Sequence, residues 1–221
     1  MKNIVVIGAG QHGHCVIDII HKEKKYKIVG IIDSVEQIGT QKYGYTIIGH
    51  QNNLKNLIQN YDIHGGVIAI GDNWSRYSVE EEIKENVSDF KFFNVIHPSC
   101  IIGEDVKFGE GVVLMPGVII NSGSRIGNHT LFLTGAIVEH NNIIGNYASV
   151  SAGSLTGGCV ELGDFAALTL GVIVFDRIRI GRNSVVGSGS LVVKDLPENV
   201  LAYGNPAKII RTRSEGEKFL N

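Results

Sequence analysis

Gly8, Gly10 and Gly13 stand in the spacing G-x-G-x-x-G directly behind the apolar run "IVVI". Such glycines tighten a strand-to-helix turn so that backbone N–H groups and a helix N-terminus can approach a diphosphate. Asp33 closes the next apolar run, about 20 residues on, where a carboxylate can reach the ribose of a bound nucleoside. Two further stretches carry residues that suit chemistry. Glu139, His140, Asn141 and Asn142 form a polar cluster in "GAIVEHNNIIGN", and His140 brings the side chain that ordinarily titrates near neutrality. "TGG" at 156–158 and "VVGSGSLVVKD" at 185–195 are stripped of large side chains, so a thin amide-bearing chain such as a pantetheine arm could lie close to the backbone.

The elements that must position these residues fall into two rhythms. Residues 1–95 alternate short apolar runs with helical patterns. "NIVVIG", "KIVGIID" and "HGGVIAIGDN" read as strands, and "FKFFNVIHP" as a closing strand that runs into Pro98. "HCVIDIIHKEKK", "NNLKNLIQNY" with Asn52 or Asn53 as cap, and "SRYSVEEEIKENV" with its charges outward read as helices. That order predicts a small parallel sheet with helices packed on it, a half-Rossmann βαβαβ domain. No second mononucleotide half follows it, which argues against a nicotinamide oxidoreductase.

From Ile102 a count of six lands on Ile102, Phe108, Leu114, Ile120, Ile126, Phe132 and onward to Val192, and only Thr156 interrupts the large apolar residues. Four positions later stands mostly Val, Ser, Thr or Ala; Asn142 occupies such a small-residue position and departs from the repeat. Gly109, Gly127, Gly145, Gly163 and Gly181 mark a longer period of three hexads per coil. These periods predict a left-handed parallel β-helix over 96–197: a triangular prism with one aliphatic side chain per face in the bore, small corner residues, and glycine at turns needing positive φ. Residues 198–221 leave the repeat and are expected to cap its open end.

Hexads alone specify scaffold. Function is expected where polar residues interrupt them, at 139–142 and 156–158, and a non-catalytic β-helix needs no such interruptions. His140 therefore stands out, although a histidine in a prism turn is also an ordinary solvated residue. His129, in the turn "IGNHT", reads as a surface residue.

The chain has 20 basic and 22 acidic residues and a net charge of −2, with no Lys/Arg stripe to mark a nucleic-acid or anionic-membrane partner. No apolar run is long enough to cross a bilayer, and the short apolar start breaks into glycines rather than a leader peptide. Cys15, Cys100 and Cys159 lack metal-ligand spacing, as expected of a reduced cytoplasmic protein without a structural metal.

The motifs "GAGQHG", "IID", "IAIGDN", "NVIHPSCIIG", "VEHNNIIGNYASVSAGS" and "YGNPAKII", in this order around one hexad array, resemble the bacterial sugar-nucleotide acetyltransferases related to sialic-acid O-acetyltransferase. The resemblance implies a homotrimer with acetyl-CoA between neighbouring prisms. It implies that His140 acts as general base on the amine of a nucleotide-linked amino sugar, and that a backbone N–H stabilises the oxyanion. By position it places Ser149, Gly158, Leu170 and Ser188 at acetyl-CoA. Gly10, Gln11, His12, Asp33 and Gly71 fall at the nucleotide-sugar. Two departures accompany it. Similar enzymes carry an acid directly after the base where this chain has Asn141, leaving Glu139 as a possible substitute, and often a histidine where it has Ser149. A close variant of the reaction transfers acetyl to a hydroxyl, as on a sialic-acid-like sugar.

Overall fold

A computed structural model describes residues 1–220. The first domain contains β1 (Lys2–Ile7), α1 (Gln11–Glu23), β2 (Tyr26–Ile32), β3 (Gln41–Lys42), β4 (Tyr45–Gly49), α2 (Leu54–Tyr61), β5 (Gly66–Ile68) and α3 (Asn73–Asn86). Its sheet runs β3-β4-β2-β1-β5, parallel except for the β3–β4 hairpin. Ile4, Val5, Val6 and Ile7 are all fully buried, because β1 is central and covered on both faces. The hairpin was not expected: Tyr43 and Gly44 turn it with positive φ, in a stretch too short and too polar to read as strands. Asn53 precedes α2, but its side chain accepts from the His50 N–H rather than capping that helix.

The expected closing strand is divided. Phe92 makes only an isolated bridge to Gly66, whereas Val95–Ile96 pairs with Val113–Leu114 and is already the first rung of the prism. The hexad count thus begins one unit before Ile102, and rung Val95–Ile96 lies astride the expected boundary at 95/96.

From there two-residue rungs stack in parallel with partners eighteen residues apart, such as Ile119 between Ile101 and Ile137. Three sheets form the faces of a left-handed β-helix. Leu114, Ile120, Phe132, Val138, Val150, Leu168 and Val186 fill the bore with no solvent exposure. Thr156 also points inward and is fully buried, so it does not open a groove. Beyond the last hexad, Val200–Gly204 adds to one face beside Val185–Val186 and pairs antiparallel with Ala207–Thr212; this segment extends a sheet as well as closing the prism.

The glycines separate into two kinds. Those at 109, 127, 145, 163 and 181 do not adopt positive φ; a Cβ there would press on the backbone of the next coil, 2.6 Å from Asn146 N at Gly127 and 2.5 Å from Asp164 N at Gly145. They permit stacking. Positive φ falls on another column, Gly117, Gly135, Gly153, Gly171 and Gly189, which leaves one prism edge bare of side chains. A second positive-φ column carries His129, Tyr147, Phe165 and Asn183, and the third includes Asn141, Cys159 and Arg177.

Candidate active site

The first domain is anchored on the aromatic column. Phe165 stacks on Trp74 at 4.0 Å and on Tyr147 at 4.8 Å, and Tyr147 stacks on His129 at 5.5 Å between ring centroids. Arg76, 2% exposed, threads between the domains. Its guanidinium donates to the carbonyls of His129 (2.9 Å), Tyr147 (2.8 Å) and Gly71 (2.7 Å), and to Asn73 Oδ1 (2.9 Å) and Ser149 Oγ (3.1 Å). Burial lowers its pKa to about 10, which leaves it charged.

Glu80 faces inward too, 3.1 Å from His129 Nε2 and in contact with Lys84 and the Tyr147 hydroxyl. Burial alone would raise this carboxyl; His129, Lys84 and Tyr147 outweigh that and bring it to about 2. The expectation that α3 turns its charges outward therefore fails at Arg76 and Glu80. His129, 1% exposed, is no surface residue. Glu80, Glu110 and His129 are close enough for an ion, yet the Lys84 ammonium already lies against both carboxylates.

This docking sets the carboxyl ends of β1 and β5 over one prism face. Gly8, at φ +113°, would place a Cβ 2.9 Å from Ala69 O, and Gly13 would meet Gly8 O at 2.3 Å. Both positions require glycine for the close approach of helix and strands. Gly10 opens α1 with nothing near its missing Cβ and Gln11 is exposed, so the turn faces open space. Asp33 braces this turn: its carboxylate accepts from Ala9 N (2.7 Å), Val35 N (2.8 Å) and Glu36 N (3.0 Å). Burial works against ionisation there, but these three bonds hold the carboxyl below its usual range. The side chain expected to wait for a ribose is engaged in shaping the loop.

His12 and Gly71 open into a cavity of about 470 Å³ shared with Ser149, Leu170, Ser188 and, from the end of the chain, Phe219 and Leu220. Two of the residues expected at the sugar nucleotide thus share one cavity with three expected at acetyl-CoA. Burial, reinforced by the Arg76 guanidinium, lowers His12 to about 4, so the imidazole is neutral at physiological pH. Ser149 is 2% exposed and its hydroxyl bonds Asn73 Oδ1 at 2.5 Å as well as Arg76. It staples the two domains while lining the cavity. Leu170 is 57% exposed and Ser188 is exposed, each immediately before a glycine of the bare edge.

His140 lies on a different corner, in a cavity of about 440 Å³ with Gly158, Cys159, Asp176 and Arg177. Gly158 stands one coil beyond it, and a Cβ there would come 2.6 Å from His140 Cε1 and Nε2. Gly158 therefore makes room for the imidazole. Gly157, for its part, faces the Asp176 backbone, so the expected thin-chain groove at 156–158 is occupied from within. Asn142 is fully buried and its amide donates to Glu139 O (2.8 Å), His140 O (3.2 Å) and Gly157 O (2.8 Å). The departure from the small-residue rule is a clamp on the turn that carries His140. Asn141, at φ 56°, places Nδ2 3.3 Å from His140 Nδ1. Among the described residues no hydrogen bond or ion pair joins the Glu139 carboxylate to His140. Asp176, whose Oδ1 accepts from Gly158 N at 2.6 Å, and Arg177 escaped the sequence reading. The eighteen-residue column 140, 158, 176 could have found Asp176; nothing in the sequence singled out Arg76.

The two cavities share no residue. Between their corners lies the face whose outward positions are Ile101, Ile119, Ile137, Leu155, Ile173 and Leu191, aliphatic throughout, with Ile101 60% and Ile173 44% exposed. No helix among the described residues is long and apolar enough to cross a membrane.

Known proteins agree with this architecture. Residues 3–83 match the PglD N-terminal domain family, and residues 99–133 match the bacterial transferase hexapeptide family of six repeats. A point mutant of the GDP-perosamine N-acetyltransferase of Caulobacter crescentus, solved in complex with CoA and GDP-perosamine, is 32% identical with a TM-score of 0.88, over 96% of this chain and 98% of that one. The acetyltransferase domain of PglB from Neisseria gonorrhoeae, at 24% identity and a TM-score of 0.86 over 95% and 100% of the two chains, shares the fold. UDP-N-acetylbacillosamine N-acetyltransferase of Bacillus subtilis is 33% identical over 117 residues, 52% of each chain. Curated relatives are matched over only part of their length, 22% for a galactoside O-acetyltransferase of Lactococcus lactis. With an N-terminal domain of the PglD type, a hexapeptide prism and likeness over nearly the whole of a solved enzyme, the chain belongs to the bacterial sugar-nucleotide N-acetyltransferases.

Proposed function

We propose that the protein moves the acetyl group of acetyl-CoA to the amino group of a nucleotide-linked amino sugar, in the cytoplasm, in the building of cell-surface polysaccharide. The observation that carries the mechanism is the His140 corner: an exposed imidazole over Gly158, on a turn clamped by Asn142. The sugar nitrogen attacks the thioester carbonyl carbon while His140 takes the proton that nitrogen loses. Collapse of the tetrahedral intermediate breaks the C–S bond, and the proton returns to the leaving thiolate. Asn141 orients the ring without adding charge. The enzyme of Caulobacter crescentus, which binds CoA and GDP-perosamine, supports this substrate class.

The sugar nucleotide lies across the Gly10–His12 turn, with its diphosphate toward the N-terminus of α1 and its amino sugar toward His12 and Gly71. Neutral His12 serves as a hydrogen-bonding group there, and Asp33 contributes by holding the loop. The pantetheine arm follows the glycine edge past Leu170 and Ser188.

In one chain the base and this groove occupy different corners, so the site is completed by a second copy. The aliphatic face between the corners is what such a copy would bury, and a three-fold ring places the His140 corner of one prism against the glycine edge of the next. The test is thiol release from acetyl-CoA against UDP-, dTDP- and GDP-linked 3-amino and 4-amino sugars, with a sialic acid as hydroxyl acceptor and the mass in solution measured alongside. Turnover with an amino sugar by a trimer is expected. Turnover with the hydroxyl acceptor alone would shift the reading to O-acetylation, and activity in a monomer would remove the shared site.

A further inference from the structure

We infer that the segment Ser214–Leu220 is the wall of the sugar end of the acceptor site and that Phe219 and Leu220 determine which amino sugar is held there. The inference rests on the proposed acetyl transfer. From the loss of the hexad repeat after residue 197, this stretch is predicted only to cap the prism. It instead crosses from the prism to the β5–α3 turn and reaches the cavity that contains His12 and Gly71.

The path of the segment is built. Arg213, 8% exposed, donates from Nε to Asn183 O at 3.2 Å and from Nη1 to Glu217 Oε1 at 3.1 Å. Glu217 also receives the Arg211 guanidinium at 2.6 Å and the Ser214 N–H at 3.2 Å. Asn183 Nδ2 donates to Ser214 O at 2.9 Å, while Asn183 Oδ1 accepts from Trp74 Nε1 at 3.0 Å. The aromatic column, α3 and the segment are therefore one connected structure.

Asp72 makes the final link. Its Oδ1 caps α3 by accepting from Ser75 N at 2.9 Å, and its Oδ2 accepts from Phe219 N at 3.3 Å. Leu220 Cδ1 then lies 3.2 Å from the point where Gly71 would carry a Cβ. Gly71 is thus the position at which the segment meets the first domain, and a side chain there would push Leu220 away.

Phe219 and Leu220 line this cavity together with Leu131 and Leu133 of the prism, with His12 and with the hydroxyl-bearing Ser149, Ser151, Thr169 and Ser188. The segment's own contribution to that lining is apolar, so it would cover an apolar substituent of the sugar ring, whereas a hydroxyl turned toward it would lose its water without gaining a partner from it. The segment is fastened to the β5–α3 turn, on the sugar-nucleotide side of a cavity that also contains Leu170 and Ser188 from the proposed pantetheine path, so its effect is assigned to the acceptor.

Steady-state kinetics of Phe219→Ala, Leu220→Ala and the double variant test this, with the amino-sugar nucleotide that the full chain turns over. Removing apolar contacts of this size is expected to raise KM for that acceptor about tenfold in the double variant and to narrow the preference over a more hydroxylated sugar. KM for acetyl-CoA should stay within about twofold, and thermal unfolding should show that the fold is retained. Unchanged acceptor KM and preference in all three variants would overturn the proposal, as would a lower KM, which would mean that the segment obstructs the site. Equal increases in both KM values would also overturn it. If the full chain turns over no amino-sugar nucleotide, the proposed activity fails first and this inference goes with it.

Discussion

Two histidines on the central coils have opposite surroundings. His129 is enclosed between Phe92 and Tyr147 with the Glu80 carboxylate against it, whereas His140 stands exposed over a glycine with the Asn141 amide beside its ring. Both lie in prism turns, His129 at the position of positive φ and His140 directly before it. The first is enclosed by the domain packed over it, and the second has a ring free to meet a partner. A titratable group is available for chemistry when the fold supports its backbone and leaves its side chain accessible; His129 meets only the first condition.

The largest effect is expected where the free ring is lost. His140→Ala should lower kcat by about 10²–10⁴, with acetyl-CoA still bound in a calorimetric titration. Near-normal kcat would remove His140 from the role of base. On the enclosed side, Arg76→Ala leaves several buried carbonyls without a donor and should destabilise the protein by about 3 kcal/mol in a denaturant titration. A loss below about 1 kcal/mol would show that water replaces the guanidinium without penalty.

Gly158→Ala sharpens the contrast, since it moves the His140 ring without removing it. A methyl group 2.6 Å from ring atoms must displace them, and kcat should fall roughly tenfold to a hundredfold while the melting temperature changes little. Glu80 supplies a pH test of the enclosed histidine's surroundings. Its carboxyl is depressed to about 2, so its contribution is present above the usual carboxylate value of 4.5 and is lost as pH falls toward 2. Glu80→Gln should remove that part of the acid-induced loss of stability, read from melting curves across this range. The smallest change is expected from Asn141→Asp, which places a negative charge beside the protonated ring and should raise kcat a few-fold; a decrease would show that the amide is needed for orientation.

The prism was legible because each hexad repeats the same local requirement, an aliphatic residue for the bore and a small one for the corner. Asn142 was legible as an exception to that rule, although its work, holding three carbonyls, required coordinates. Asp33 and Ser149 are of types and at positions that suit ligands, and both are also bonded within the fold. Their partners, the loop amides in one case and Asn73 with Arg76 in the other, bear no periodic relation to them.

What the sequence determined by itself is therefore the periodic part: β1 and its glycine turn, the rungs, the bore and the corner at which His140 projects. Such patterns follow from backbone geometry repeated at short range. Only the tertiary structure decided which corner is covered and which is free. Arg76 reaches carbonyls 53 and 71 residues away, and Phe219 meets Asp72 across 147. Contacts of that span depend on how two finished surfaces fit together, and no local spacing in the chain encodes the fit.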